Sequence, residues 1–388
     1  MSANFDRIIE RRGSGSAKWG FYDADVLPLW VADMDFAVPE PTQKALNARV
    51  NHGIFGYALS ELPILLDEIC QRTERLYGWK VLPKQIMFFP GLTSALNALC
   101  RAFGKRGDGV LVQPPIYYPF LTAIKNQGRD INHAALKRND RKDCIGYEID
   151  FDVFEGAITA RTNLFLLCNP HNPVGHMHST ENLERMAAIC ERNDLVICSD
   201  EIHCELLLDS KCHVPTATLS PKIASRCITL MAPSKTFNLA GLCCGYAIIQ
   251  NPTLLEQVRK ATAGIIPGIN VMGLAGALAA YQHGAQWLSE LLPYLAANRD
   301  YVIEYLRENI PAIRTTRPEA TYLMWLDCSA SAIPGNPHEF FLQKAKVALN
   351  DGEMFGPGGK GFVRLNLACP RSTLAEALQR MHTALAAL

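Results

Sequence analysis

This 388-residue chain has no excess charge of either sign: Lys+Arg and Asp+Glu are both 38. Nucleic acid and acidic membrane surfaces select a basic face, so neither is expected as a partner. The longest weakly polar stretch, Gly268 to Tyr281, is shorter than a membrane span and predicts a buried helix. The N-terminus lacks an apolar h-region, and no secretory signal is expected. The 13 cysteines include no CxxC pair and show no framework spacing. Disulfides and zinc are therefore not expected, and reduced thiols packed in a cytoplasmic protein are. His176 and His178 could bind a metal, but their position predicts a solvated loop, and no metal is expected. There is no GxxxxGK[ST] phosphate loop, internal repeat or low-complexity linker.

The chain does have hydrophobic residues at 48% and charged residues at 20%, a globular composition. Short apolar runs alternate with helical patterns from about residue 85. Ile86-Phe89, Val110-Val112, Leu164-Leu167, Leu195-Cys198, Cys227-Ala232 and Gly245-Ile249 are nearly continuous in apolar character. Strands of that kind are buried on both faces, which predicts an α/β doubly wound, mostly parallel sheet. From about residue 285 a long helical stretch, Ala285 to Asn309, leads to shorter strands in an α+β lobe. The expected division is a large domain over 46–284 and a small one over 1–45 plus 285–388. Residues 1–45 carry little sheet pattern of their own.

The segments after the apolar runs carry the chemistry. Open parallel sheets bind ligands at the carboxyl ends of their strands. Lys235, in Ser234-Lys235-Thr236-Phe237-Asn238, follows such a strand, and a desolvated lysine there is a Schiff-base nucleophile. Asp200 ends another strand and suits a buried counter-ion for a ring cation. Gly91-Leu92-Thr93 opens a helix, where free N–H groups and the helix dipole favour a phosphate. Asn172 sits in a turn before Pro173, and Tyr117 could stack on a flat ring. Arg364 could grip a carboxylate with its planar fork.

Taken in order, Asn-Pro-His-Asn-Pro-Val-Gly, Ser-Asp-Glu-Ile-His and Ser-Lys-Thr-Phe-Asn resemble pyridoxal-phosphate enzymes of fold type I. Leu29-Trp-Val-Ala-Asp-Met-Asp-Phe36, His52-Gly-Ile-Phe-Gly-Tyr57 and Phe362-Val-Arg-Leu-Asn-Leu are similar to the MalY/PatB-type C–S lyase branch. The resemblance implies that Lys235 carries pyridoxal phosphate and that Asp200 pairs with its ring nitrogen. It implies that Asn172 and His203 meet the ring hydroxyl and Tyr117 the ring face. Ser234, Gly91, Leu92, Thr93 and Tyr57 of a neighbouring subunit hold the phosphate, and Arg364 the substrate carboxylate. A homodimer with a shared site follows. Two departures from the aminotransferase pattern are His203, where a tyrosine is usual, and Cys243, where a phosphate-binding arginine is usual. The lyase branch shows similar departures. The expected reaction is β-elimination of cystathionine or related cysteine S-conjugates to thiol, pyruvate and ammonia. Lys235 is then the base, and Tyr117 a candidate proton donor. An aminotransferase and a cofactor-binding regulator remain the alternatives.

Overall fold

The structure is a computed structural model and describes residues 3–57 and 63–388. Seven strands form the main sheet: β1 (Ile86–Phe89), β2 (Gly109–Val112), β3 (Asp130–His133), β4 (Thr162–Cys168), β5 (Val196–Asp200), β6 (Cys227–Met231) and β7 (Gly245–Ile249). Their order is β1-β7-β6-β5-β4-β2-β3. Only β7 runs antiparallel to its neighbours, so the other six point the same way.

Strand alternation explains why these segments are continuously apolar. In β4, Leu164, Leu166 and Cys168 pack on one side of the sheet, and Phe165 and Leu167 on the other. Val110 and Val112 of β2 share the first side, and Leu111 the second. Side chains of one strand alternate between faces, so a strand covered on both faces must be apolar at every position.

Helices supply the cover. On the first side lie α1 (Leu92–Ala102) and α2 (Tyr118–Asn126), with Leu96, Leu99, Phe120 and Ile124 buried. On the other, α3 (Thr180–Arg192) buries Leu183, Met186 and Ile189. Ser179 caps α3 by accepting from the Asn182 amide, which satisfies one of the free N–H groups of its first turn.

A second, antiparallel sheet contains β8 (Arg314–Thr315), β9 (Leu323–Asp327), β10 (Asn350–Asp351) and β11 (Phe362–Asn366), in the order β8-β9-β11-β10. The 25-residue helix Ala285–Asn309 precedes it. The N-terminal segment joins this part: Leu27–Pro28 pairs in parallel with Val347–Ala348. The next residues, 29–36, run between the two sheets. Asp35 N bonds Ala368 O at 2.9 Å, and Asn366 N bonds Leu29 O at 2.9 Å.

Two features differ from expectation. The His176–His178 segment is not a solvated loop. His178 is buried, and His176 Nδ1 lies 3.4 Å from Glu319 Oε2. A tight backbone turn, with His171 N bonding His176 O at 2.8 Å and Gly175 N bonding His171 O at 2.7 Å, folds the segment inward. No metal-binding cluster occurs among the described residues. The polar edge strand β3 and the hairpin Lys137–Asp140/Ile145–Glu148 also carry no apolar run that would announce them.

Candidate active site

The carboxyl ends of β1, β2, β4, β5 and β6 meet at one edge of the main sheet. There they enclose a cavity of about 180 Å³ lined by Gly91, Leu92, Thr93, Tyr117, Asn172, Asp200, His203, Ser234 and Lys235, among others. Nine of the eleven residues singled out from the sequence therefore share one wall-to-wall site. The other two are Arg364 and Tyr57. Arg364 adjoins the site, as its bond to Asn172 shows. Tyr57 is fully exposed and does not line the cavity.

Gly91 closes the N-terminus of α1 with φ +100°, a conformation that side chains resist. The helix start has no side-chain cap among the described residues. Its first N–H groups therefore lie free at the cavity. Ser234 and Lys235 belong to the single turn Pro233–Thr236 directly after β6, where Pro233 pre-sets the helical φ.

Lys235 Nζ donates to Ala32 O at 2.6 Å. Its pKa is lowered to about 8, chiefly by burial and further by Arg364, against the pull of Asp33 and Asp200. Asp200, at the end of β5, accepts from Ile202 N at 3.1 Å. Burial raises its pKa to about 7. Glu201 adds to the rise, while the Ile202 amide and Lys235 oppose it. Glu201 itself turns away to a buried structural pairing with His213 Nε2 at 2.7 Å and Thr216 N at 3.0 Å. Burial also pushes the His203 imidazole well below its ordinary range, with Lys235 and Arg364 adding to the effect. Its Nδ1 has no partner among the described residues. Tyr117 is held in place by its own amide, which bonds Asn172 O at 3.0 Å. Burial lifts its phenol to about 12.

Arg364 lies in β11, between Trp325 of β9 and Asn350 of β10. It is 2% exposed. Its guanidinium donates to Asn172 Oδ1 at 3.1 Å, to Trp30 O at 3.0 Å and to Asn350 Oδ1. All three acceptors are neutral, and Nε has no partner among the described residues. A buried cation normally has an anionic partner; here it is poised for one from outside. Its distance of 5.8 Å to the Tyr117 ring centre ties it to the cavity wall.

The sequence assigned no individual role to Trp30, Ala32, Asn238, Tyr322 or Asn350, although Trp30, Ala32 and Asn238 lie within its motifs. The first two act through main-chain carbonyls, which no residue type signals. Cys243 lines the cavity in the left-handed conformation, φ +50°, with an exposed thiol. No guanidinium therefore comes from that position.

The site thus joins a low-pKa amine, a buried carboxyl, an open helix start and an unpaired buried guanidinium. Known proteins resemble the chain over nearly its whole length. The family model for aminotransferase class I and II matches residues 24–381. Cystathionine beta-lyase PatB of Bacillus subtilis is 40% identical, over 98% of this chain and 100% of its own length. Protein MalY of Escherichia coli is 30% identical over 99% of both. The structure of cystalysin from Treponema denticola, which contains a pyridoxal 5'-phosphate cofactor, superposes with a TM-score of 0.94 at 32% identity, covering 100% of both chains. The chain belongs to the aminotransferase class I and II family, and within it to the PatB- and MalY-type C–S lyases.

Proposed function

We propose that the chain is a pyridoxal-phosphate-dependent C–S lyase, cleaving cystathionine or a related cysteine S-conjugate to thiol, pyruvate and ammonia. The observation that carries the reading is the juxtaposition of Lys235, Asp200 and the carboxylate-free Arg364 around one cavity. The cofactor fits the donors present. Its phosphate matches the free N–H groups of Leu92 and Thr93, beside Gly91, whose own amide is taken by Phe89 O at 2.7 Å, together with the Ser234 hydroxyl. A protonated ring nitrogen would give the Asp200 carboxyl the cation that burial leaves it needing. Asn172 and His203 suit the ring hydroxyl, and Tyr117 a ring face. When bound through Lys235, pyridoxal phosphate supplies an electron sink for negative charge at the substrate Cα.

The chain's own groups do the rest. Arg364 orients the substrate α-carboxylate with its planar fork. Lys235, once released, removes the Cα proton. With a pKa of about 8, about a tenth of its amine is neutral at pH 7, where an ordinary lysine would hold well under about a thousandth in the base form that proton removal requires. The leaving thiolate, with an ordinary pKa of about 8.5, is closely matched by the ammonium that Lys235 becomes. Tyr117, at about 12, stays protonated and assists by hydrogen bonding instead of by full proton transfer. Cys243 in place of a phosphate-binding arginine leaves a cationic contact unfilled, which Tyr57 of a second copy would help replace. Full exposure of Tyr57 supports that homodimer.

The division into 46–284 and 1–45 plus 285–388 is our reading of the two sheets. Thirteen free thiols support a reducing, cytoplasmic setting. Among the described residues no helix is long and apolar enough to cross a membrane. The test is incubation of the cofactor-loaded protein with cystathionine or cysteine. Pyruvate released without added keto acid supports the lyase. A strict keto-acid requirement would establish an aminotransferase instead.

A further inference from the structure

The segment Trp30–Met34 is pinned carbonyl by carbonyl from outside. Arg364 Nη2 donates to Trp30 O at 3.0 Å. Asn366 Nδ2 donates to Val31 O and Asp33 O, both at 2.6 Å. The Tyr322 hydroxyl donates to Ala32 O at 2.9 Å. Asn238 Nδ2 donates to Met34 O at 3.0 Å. Five consecutive carbonyls thus take side-chain donors. An irregular segment usually gives its carbonyls to water or to neighbouring backbone. Here side chains from the second sheet and from the Lys235 turn set the backbone position.

Ala32 O matters most, because its second donor is Lys235 Nζ at 2.6 Å. A carbonyl oxygen has two lone pairs. Here one serves Tyr322 and the other the lysine. Tyr322 precedes β9 and is buried, with its ring edge-on to His203 at 5.8 Å. Ala32 O is the partner of its hydroxyl. The same hydroxyl therefore links the second sheet, through one carbonyl, to the amine at the end of β6.

We propose that Tyr322 is a positioning residue for the elimination, fixing through the Ala32 carbonyl where the free Lys235 amine rests. The proposal rests on the lyase reading above. The freed amine must point at the substrate Cα, and the ammonium formed on taking that proton needs an acceptor that does not have to move. A carbonyl held by a second donor meets both needs without reorganisation at the moment of transfer. Without the phenol hydroxyl, Ala32 O keeps only the lysine, and the pair can shift together.

Tyr322→Phe keeps the buried ring and removes the hydroxyl. In the loaded protein kcat falls about tenfold, the effect of one positioning hydrogen bond, while KM and cofactor affinity stay within about twofold. In the cofactor-free protein, reductive methylation of Lys235, followed by peptide mass spectrometry, changes rate several-fold relative to wild type. Unchanged kcat together with an unchanged methylation rate overturns the proposal. So does a joint loss of kcat, cofactor binding and melting temperature, which marks a structural role. If wild type itself eliminates nothing, the lyase reading has failed, and the methylation arm alone decides whether Tyr322 positions the amine.

Discussion

Replacing Asp200 by asparagine should make the cofactor-free protein more stable and the loaded protein nearly inactive. The carboxyl is buried at the end of β5, and its pKa is raised to about 7 by that burial. In an unfolded chain an aspartate titrates near ~3.9. Between these values the unfolded chain has released the proton and the folded chain still holds it. Stability of the cofactor-free protein therefore falls as pH rises from about 4 to about 7, and the full cost, about 4 kcal/mol, is present above that window. Asparagine cannot ionise, and its side-chain oxygen can still accept from Ile202 N, as Asp200 Oδ1 does at 3.1 Å. Urea unfolding of cofactor-free protein should show Asp200→Asn more stable than wild type by about 2–4 kcal/mol at pH 8, with little difference near pH 4. In the loaded protein the same change removes the partner of the ring nitrogen. Turnover should fall about 10²–10³-fold, as when one member of a buried ion pair is deleted. Equal stability of the two proteins at pH 8, or full turnover by the variant, would refute the assignment of Asp200 as a buried carboxyl awaiting a cation.

Lys235→Ala should abolish both the lysine-bound cofactor absorbance and elimination, and any retained turnover would overturn its role as base. Arg364→Ala should lower kcat/KM about 10²–10³-fold, from loss of a charge-assisted pair of hydrogen bonds, with most of the effect in KM and cofactor binding kept. Cofactor loss in that variant, seen by absorbance, would make Arg364 structural. Gly91→Val should weaken cofactor affinity at least about tenfold in an absorbance titration, because φ +100° excludes a β-branched residue from the helix start.

Much of the site was legible because its chemistry sits at strand ends. An apolar run followed by a lone Asp200 or Lys235 marks both the strand and the group it delivers. Parallel order then brings those groups to one edge. Arg364 was legible as an alternating residue in a strand, but its burial was not, since Trp325 and Asn350 come from distant segments. The strap at Trp30–Met34 was recognisable as a motif and opaque as geometry, because it works through carbonyls. The edge strand β3, Asp130–His133, was missed because exposure to solvent removes the need for apolar residues. His178 was misjudged because a polar residue type in a Gly/Pro-rich stretch suggests solvent, whereas a local turn buries it.

The central claim is that Lys235, Asp200 and Arg364 together perform a C–S elimination. It is tested most directly by incubating purified, cofactor-loaded protein with cystathionine and no keto acid. The products to measure over time are pyruvate, ammonia and free thiol. The account predicts all three in equal amounts, and none from the Lys235→Ala variant. Product formation only after a keto acid is added, or no products from a protein that shows the lysine-bound chromophore, would contradict it.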